Sequence, residues 1–320
     1  MNNIMKLTLS LITSAVVFGA FVLWVGPENL INRIATIDLT YLPFLVVLLF
    51  AQLALSAANI WMLSRGFTKI SYKKSFEINL FSWVSGFFAP GKIGQLSQIY
   101  LLKKNGLTVG QATALTVTDK IISLFTLGFF GILAAFLFFP ELWLQITVFT
   151  SVLLCLPVLL LFSAKGREII KKYVLRKYAG IFAGFSVAIK GILAKKIVLA
   201  ADLVFTVARV ALNALFIMTI ILALGGNVNL IVILLIDSLA QLLAYMPISF
   251  NGLGIREGGF TVMASYIGIE KTLALSAISI STVIDYLAAG LVTAFFSGKI
   301  VGRVPEIKKL GRKLSEERNI

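Results

Sequence analysis

Long apolar runs, separated by short polar stretches, recur along the whole chain. Six of them approach or exceed the length of about 20 residues that is needed to cross the hydrocarbon core of a bilayer. The runs are continuous, whereas the strands of a membrane β-barrel alternate apolar and polar residues. The pattern therefore predicts an all-α polytopic membrane protein. The six predicted spans are Leu7–Val25, Leu39–Leu63, Ala112–Phe139, Leu142–Phe162, Ile197–Leu224 and Thr272–Phe296.

Two further apolar segments are interrupted by proline and glycine. The first is Phe76–Ala89, which is too short to cross and is followed by Pro90-Gly91; the second, Leu230–Met246, runs into Pro247–Glu257. Non-helical backbone at membrane depth is tolerated only where protein buries it or where it lines a wet cavity. An exposed loop is the alternative for the second segment. We favour two re-entrant helical hairpins, with tips near residues 90–95 and 247–257.

The charges indicate how the chain is oriented. Only 13% of the residues are charged and 59% are hydrophobic, against about 25% charged in a typical soluble domain. Cations concentrate in residues 65–74, 164–196 and 299–320, while the connections predicted to lie outside hold two cations, Arg33 and Lys271, against four acids. Cytoplasmic loops carry the excess of Lys and Arg, so both termini are predicted to be cytoplasmic. The transmembrane domain would span residues 1–301, with a basic tail at 302–320.

The same charge distribution argues against nucleic acid as a partner. The net charge of +15 is explained by basic loops between membrane spans, so no nucleic-acid surface is predicted. The chain has no histidine and one cysteine, Cys155. It shows no Walker A motif, no diphosphate–metal motif and no recognisable nucleophile–base set. The sequence therefore predicts neither an enzyme nor a metal or cofactor site, and no direct use of ATP.

The order of elements suggests an inverted repeat. Each half runs from a short apolar limb through a Pro-Gly tip to a second short limb and a long span that carries an acid, Asp119 or Asp285. With both termini inside, the first hairpin enters from the cytoplasm and the second from outside. Inverted repeats with broken helices at corresponding positions are typical of secondary transporters that bind their substrate near the bilayer midplane.

The predicted tips carry cations where an anion could bind. A second limb begins just after each tip, and the free N–H groups of a helix N-terminus favour anions. Lys92 and Arg256 lie at these beginnings, and together they could hold a phosphate headgroup. The alternative is that Arg256 only pairs with Glu257, Asp237 or Asp285.

Charged residues within the other spans are costly at membrane depth and usually functional. An acid in such a setting could carry a coupling proton, whereas nearby cations could simply neutralise it. The residues predicted to couple or balance charge are Asp119, Arg209, Asp237 and Asp285.

The segment Pro247–Glu257, PISFNGLGIRE, resembles the P-x-S-x-x-G-L-G-[VI]-R-E signature of the lysylphosphatidylglycerol synthase transmembrane-region family, whose members are flippase-like. Pro90–Gln95 and Asp119-Lys120 resemble that family's P-x-x-x-G-E and D-R elements, over a similarity that covers about Leu7 to Val301. Gln95 and Lys120 replace the Glu and Arg common in the family, which weakens the case for essential charge there.

The resemblance implies movement of lipid between leaflets. The best-known cargo of the family is an aminoacylated phospholipid, made by a soluble domain that follows the membrane part. This chain ends at Ile320 without such a domain, so that cargo is not implied here, and stand-alone members look like handlers of lipid or polyprenyl phosphate.

We therefore expect a flippase of the plasma (inner) membrane that moves an anionic phospholipid or polyprenyl-phosphate-linked headgroup and has membrane lipids as its partners. Two alternatives stay open: a non-catalytic scaffold for an enzyme of envelope lipid or glycan biosynthesis, and a membrane-embedded transferase. The residues predicted to bind the headgroup are Lys92, Gln95, Ser249, Asn251, Gly252, Gly254, Arg256 and Glu257.

Overall fold

A computed structural model describes residues 3–87, 97–169, 184–245 and 249–301. Nearly all of this part is helical, and it contains no strand. Two short 3-10 turns, Leu39–Tyr41 and Phe250–Gly252, supplement the α-helices. The helices are α1 (Asn3–Val25), α2 (Pro27–Ala35), α3 (Leu42–Ser64), α4 (Tyr72–Phe87), α5 (Ser97–Lys104), α6 (Val109–Phe138), α7 (Trp143–Phe162), α8 (Ala164–Ile169), α9 (Phe185–Leu193), α10 (Lys196–Ala223), α11 (Leu230–Ala244), α12 (Ile255–Tyr266) and α13 (Lys271–Val301).

Five of these helices, α3, α6, α7, α10 and α13, are long and apolar enough to cross a membrane. A sixth span is formed if α1 and α2 are counted together, although the chain bends by 83° between them. The bend falls at Gly26, whose φ of +99° is accessible mainly to glycine, and Pro27 then opens α2 at a position where its missing N–H costs nothing. The prediction of an all-α polytopic membrane protein with about six spans is confirmed, whereas the side on which the termini lie stays a prediction.

The same succession of elements occurs twice in the chain. A long helix, a short helix, a break, a short helix and another long helix follow one another as α3–α6 and again as α10–α13. The helices α3 and α10 pack along each other, α4 contacts α13, and α11 contacts α6. The first hairpin limb of each half therefore contacts the last long helix of the other half: α4 contacts α13, and α11 contacts α6. This arrangement supports a repeat, while the opposite orientation of its halves stays a prediction.

Interhelical hydrogen bonds join the centre of the fold. The side chain of Asn59 in α3 donates to Oγ1 of Thr206 in α10 over 3.0 Å, and Oγ of Ser56 donates to Asn79 in α4 over 2.9 Å. Polar side chains of this kind hold helices together in lipid. Ser56 and Asn59 of α3 thus bond two different neighbouring helices, α4 and α10.

Around this centre lies an apolar core made mainly by α3, α10, α11, α12 and α13. A second core joins the end of α3 and the hairpin helices α4 and α5 to α6 and α9. The first hairpin tip, with Lys92 and Gln95, lies outside the described residues, as does the tail at 302–320.

Candidate functional site

A polar cavity of about 210 Å³ lies between helices of α3–α6 and helices of α10–α13. Its wall is built by α3, α4, α6, α10, α11, α12 and α13 together with the second hairpin tip, so residues far apart in sequence share one space. The polar and charged residues that line it are Gln52, Ser56, Lys120, Arg209, Asn213, Gln241, Tyr245, Asn251, Arg256, Glu257, Thr282, Asp285 and Tyr286.

Most of the predicted site residues in the described part belong to this cavity or stand directly behind it. Asn251, Gly252, Arg256 and Glu257 line it from the hairpin tip and α12. Arg209 and Asp285 line it from α10 and α13, and Asp119 and Asp237 bond the cations on its wall. Ser249 and Gly254 do not line the cavity; Ser249 is buried, and its Oγ has no hydrogen-bond partner in the described part.

The second tip is a sharp, irregular turn rather than a continuous helix. Asn251, Gly252 and Gly254 all have positive φ, at 54°, 81° and 83°, a region that is unfavourable for most residues other than glycine. A Cβ on Gly252 would lie 2.6 Å from Cβ of Ala244, and one on Gly254 would lie 3.0 Å from the backbone nitrogen of Phe18. These glycines are needed for the path of the backbone and for the close approach of α1.

Glu257 fastens the tip to its neighbours. Its carboxylate accepts a hydrogen bond from the backbone N–H of Gly254 over 2.6 Å and another from the hydroxyl of Thr282 in α13, also over 2.6 Å. Since Glu257 is the third residue of α12, its carboxylate occupies the N-terminal end of that helix, where an anion is favoured. The N-terminus of α12 was predicted to bind a ligand, but part of its hydrogen-bonding capacity is already taken up by the carboxylate of Glu257.

Arg256 is paired with Asp237, one of the three acids that the sequence left open. Its Nη2 lies 3.0 Å from Oδ1 of Asp237, and both side chains are largely buried. The other oxygen, Oδ2, accepts hydrogen bonds from Asn213 over 2.6 Å and from Gln241 over 2.7 Å. Asp237 therefore joins α10, α11 and α12 in one network, and Gln241 extends along the same face of α11, as its spacing predicts.

The remaining cations on the wall behave differently from each other. Nζ of Lys120 lies 3.1 Å from Oδ2 of the neighbouring Asp119, so its charge is balanced locally. Nη2 of Arg209 donates to Oγ of Ser123 over 3.0 Å, and Arg209 makes no ion pair with any acid in the described part. The buried Nε atoms of both Arg209 and Arg256 have no hydrogen-bond partner among the described residues.

One side of the cavity is aromatic. The rings of Trp83 and Phe87, one turn apart in α4, meet edge to face at 5.0 Å between centroids, and Phe87 meets Tyr286 of α13 at 4.7 Å. The only sign of this wall in the sequence is the i, i+4 spacing of Trp83 and Phe87, which places both rings on one face of α4. Thr282 and Ser123 were also missed, because a single hydroxyl in an apolar run shows no partner until the helices are packed.

A search of curated proteins finds no match to this chain. The profile of a protein family described as "Lysylphosphatidylglycerol synthase TM region" matches residues 7–292, which covers nearly all of the described helices and the whole cavity. This is the family that the hairpin signature resembles. The chain therefore belongs to the lysylphosphatidylglycerol synthase transmembrane-region family, as a multi-pass membrane protein with a lipid-related role.

Proposed function

We propose that this protein is a lipid transporter of the plasma membrane that passes an anionic headgroup through the cavity between its two repeats. The acyl chains stay in the bilayer while the headgroup crosses, as in a flippase. No covalent step is part of the proposal, and ATP is not its direct energy source. The headgroup belongs to a phospholipid or a polyprenyl-phosphate-linked lipid, and both offer the same phosphate to the cavity.

The proposal rests on the unsatisfied hydrogen-bond donors of two arginines in the cavity. Arg209 and Arg256 line the same space, and each keeps a buried Nε–H without a partner in the described part. Leaving a buried donor unsatisfied costs about 1–3 kcal/mol, so such groups call for a ligand or ordered water. A guanidinium offers several donors in a planar fork that matches the oxygens of phosphate.

The two arginines differ in how free they are to bind. Arg256 is held by Asp237 and lies within electrostatic reach of Glu257 and Asp285. Among the described residues, Arg209 is hydrogen-bonded to the neutral hydroxyl of Ser123 and makes no ion pair, although Asp119 and Asp202 lie within electrostatic reach. A phosphate entering the cavity therefore neutralises Arg209 without breaking an ion pair, and we assign it the first contact. Arg256 then contributes its remaining donors while Asp237 keeps it in place.

A liposome assay tests the proposal. The purified protein is reconstituted with labelled phospholipid or labelled polyprenyl phosphate, and movement between leaflets is measured with and without a pH gradient. We expect transport by the wild type, a loss of at least tenfold in Arg209→Ala and partial recovery in Arg209→Lys. The matched control is Val204→Ala on the same helix, whose side chain is 63% exposed toward the outside of the helix bundle.

Failure of the wild type to move either lipid under both conditions would refute transport. The scaffold alternative makes a different prediction for the same variants. If the protein only supports an enzyme of envelope lipid or glycan biosynthesis, Arg209→Ala that still folds should sustain that partner as well as Val204→Ala does. Equal co-purification and equal partner activity, together with no transport, would favour the scaffold.

A further inference from the structure

Asp202 in α10 differs from the other buried acids of the protein. The residue is fully buried, and neither oxygen of its carboxyl group has a hydrogen-bond partner in the described part. By contrast, the carboxylate of Asp119 forms an ion pair with Lys120 and accepts a hydrogen bond from Asn59. The carboxylate of Asp237 accepts hydrogen bonds from three side chains. The transport proposal does not use Asp202, so its presence at this depth needs a separate explanation.

The charged groups that face Asp202 are few. Asp119 and Lys120 approach it from α6, and Arg209 lies two turns further along its own helix; all three interact with it electrostatically. Neither cation forms an ion pair with it, because Lys120 is bonded to Asp119 and Arg209 to Ser123.

Other elements that pack against α10 bring no charge to this position. From α3 comes the uncharged Asn59, while Arg65 just after that helix is exposed and stacks on Trp61. Lys190 of α9 is exposed. Of the acids of α11 and α13, Asp237 is bonded to Asn213 and Asp285 lines the cavity.

An ionised carboxylate without donors is very costly to bury. The neutral acid avoids that cost but adds an O–H group that needs an acceptor. A spare acceptor exists on the same interface: Oδ1 of Asn59 is buried and has no donor in the described part. Asn59 bonds Thr206, one turn after Asp202 on α10. A single proton on Asp202 is thus the simplest way to make this packing favourable.

We propose that Asp202 is a proton-binding site, occupied in this conformation, which releases its proton when the interface of α3, α6 and α10 opens to water. Once ionised, Asp202 would place a second carboxylate near Asp119 and compete for Lys120 and Arg209. Both cations line the cavity, so losing the proton would draw positive charge away from a bound anion. This coupling step rests on the proposed transport function, whereas the proton site itself does not.

Infrared spectroscopy of the reconstituted full-length protein tests the site directly. We expect the C=O stretching band of a protonated carboxyl group at neutral pH in the wild type and its loss in Asp202→Asn. The control is Asp38→Asn, which removes an exposed acid and should leave the band unchanged. If the wild type shows no such band, or if Asp202→Asn keeps it, the proposal is wrong.

Thermal stability gives a second, independent readout. Asparagine mimics the neutral acid and does not ionise in the unfolded chain, so Asp202→Asn should melt at or above the temperature of the wild type at neutral pH and close to it near pH 4. Because Asp202 ionises above about pH 4 in the unfolded chain but keeps its proton in the folded protein, only the wild type should lose stability as the pH rises from about 4, until the folded carboxyl group also deprotonates. A variant that misfolds or melts well below the wild type at neutral pH would show that the carboxylate makes stabilising contacts, which overturns the proposal.

The liposome assay then tests whether the proton on Asp202 is coupled to lipid movement. If Asp202 couples transport, a pH gradient should accelerate lipid movement several-fold in the wild type and have no effect in Asp202→Asn. A gradient that accelerates both proteins equally would refute the coupling. If neither protein moves lipid, the transport proposal fails, and the spectroscopic and thermal results alone decide whether Asp202 holds a proton.

Discussion

The helices α7 and α10 are equally apolar by hydropathy, yet they occupy opposite environments. In the most apolar window of α7, 12% of the residues are buried, against 44% in that of α10. The difference lies in the polar residues. α10 places Asp202, Thr206, Arg209 and Asn213 along one face, whereas α7 has no charged residue. Hydropathy thus indicates that a helix lies in the membrane, and the spacing of its polar residues indicates whether it lies at the centre of the bundle.

Their neighbours reflect the same difference. In the described part, the main contacts of α7 are with α6 and α8, while α10 contacts α3, α6, α9, α11 and α13. The helices α6 and α7 approach closely at Gly128, where an added Cβ would lie 2.4 Å from Cδ1 of Leu154 and would force that side chain to move. The joint between α10 and its neighbours depends on hydrogen bonds. Variants on the two helices should therefore have very different consequences.

The largest effect is expected at Asp237, which holds α10 through Asn213 and α12 through Arg256. Asp237→Ala leaves a buried guanidinium without its counter-ion, and breaking such a pair costs about 3–5 kcal/mol. Unfolding in detergent micelles, followed by denaturant titration, measures this change in the free energy of unfolding.

The double variant Asp237→Leu with Arg256→Met serves as the control, because it removes both charges. It should recover most of the lost stability. If the single variant were as stable as the wild type, the Asp237–Arg256 pair would not stabilise the packing of these helices, and the central position of α10 would depend on apolar packing alone.

The next effect compares the apolar residues of the two helices directly. Ile217 of α10 is fully buried, whereas Leu156 of α7 is 53% exposed. Ile217→Ala should lower the free energy of unfolding by about 2–5 kcal/mol through lost packing and a cavity, and Leu156→Ala by no more than about 0.5 kcal/mol. The same denaturant titration measures both variants. Equal losses would show that α7 is packed as tightly as α10.

Much of this fold could be predicted from sequence, because membrane spans follow from the length of apolar runs alone. The helix α2 was not, since Pro27–Ala35 is short and polar and was interpreted as a connection. The partner of Arg256 could not be chosen among Asp237, Glu257 and Asp285 because all three lie within reach of a hairpin tip. Only packing shows that Glu257 is committed to Gly254 and Thr282, leaving Asp237 for the arginine.

The candidate site was predicted in part for a related reason. A polar residue in an apolar run indicates that its side chain needs a hydrogen-bond partner, but it does not indicate which residue supplies that partner. The spacing of Asn213 and Thr206 places them on one face of α10, yet their partners, Asp237 and Asn59, lie 24 and 147 residues away in sequence. Asp202 lies on the same face, and the structure alone shows that neither oxygen of its carboxyl group has a hydrogen-bond partner among the described residues.

A smaller effect distinguishes hydrogen bonds between helices from those within one helix. Thr206→Val removes the acceptor that α10 offers to Asn59, and such interhelical bonds average about 0.6 kcal/mol in membrane proteins. The matched control is Thr219→Val, since among the described residues the hydroxyl of Thr219 bonds the carbonyl of Leu215 in its own helix and no other helix. We expect a measurable loss of stability for Thr206→Val and a smaller one for Thr219→Val. The reverse order would mean that the bond to α3 does not help to centre α10.

The smallest effect concerns the end of α10, where the chain between α2 and α3 is attached. The backbone N–H of Asp38 donates to the carbonyl of Ala223 over 2.8 Å. The carboxylate of Asp38 accepts hydrogen bonds from Thr40, chiefly from its backbone N–H and also from its hydroxyl, and these bonds lower the pKa of Asp38. Because this pKa is depressed in the folded protein, the stabilisation is complete above the ordinary value of about 3.9 and disappears as the pH falls through the folded value. The melting temperature of the wild type should therefore drop slightly below about pH 4 relative to Asp38→Asn, which caps the turn without titrating. A constant difference between the two proteins across this range would show that the carboxylate of Asp38 does not help to attach the turn at the end of α10.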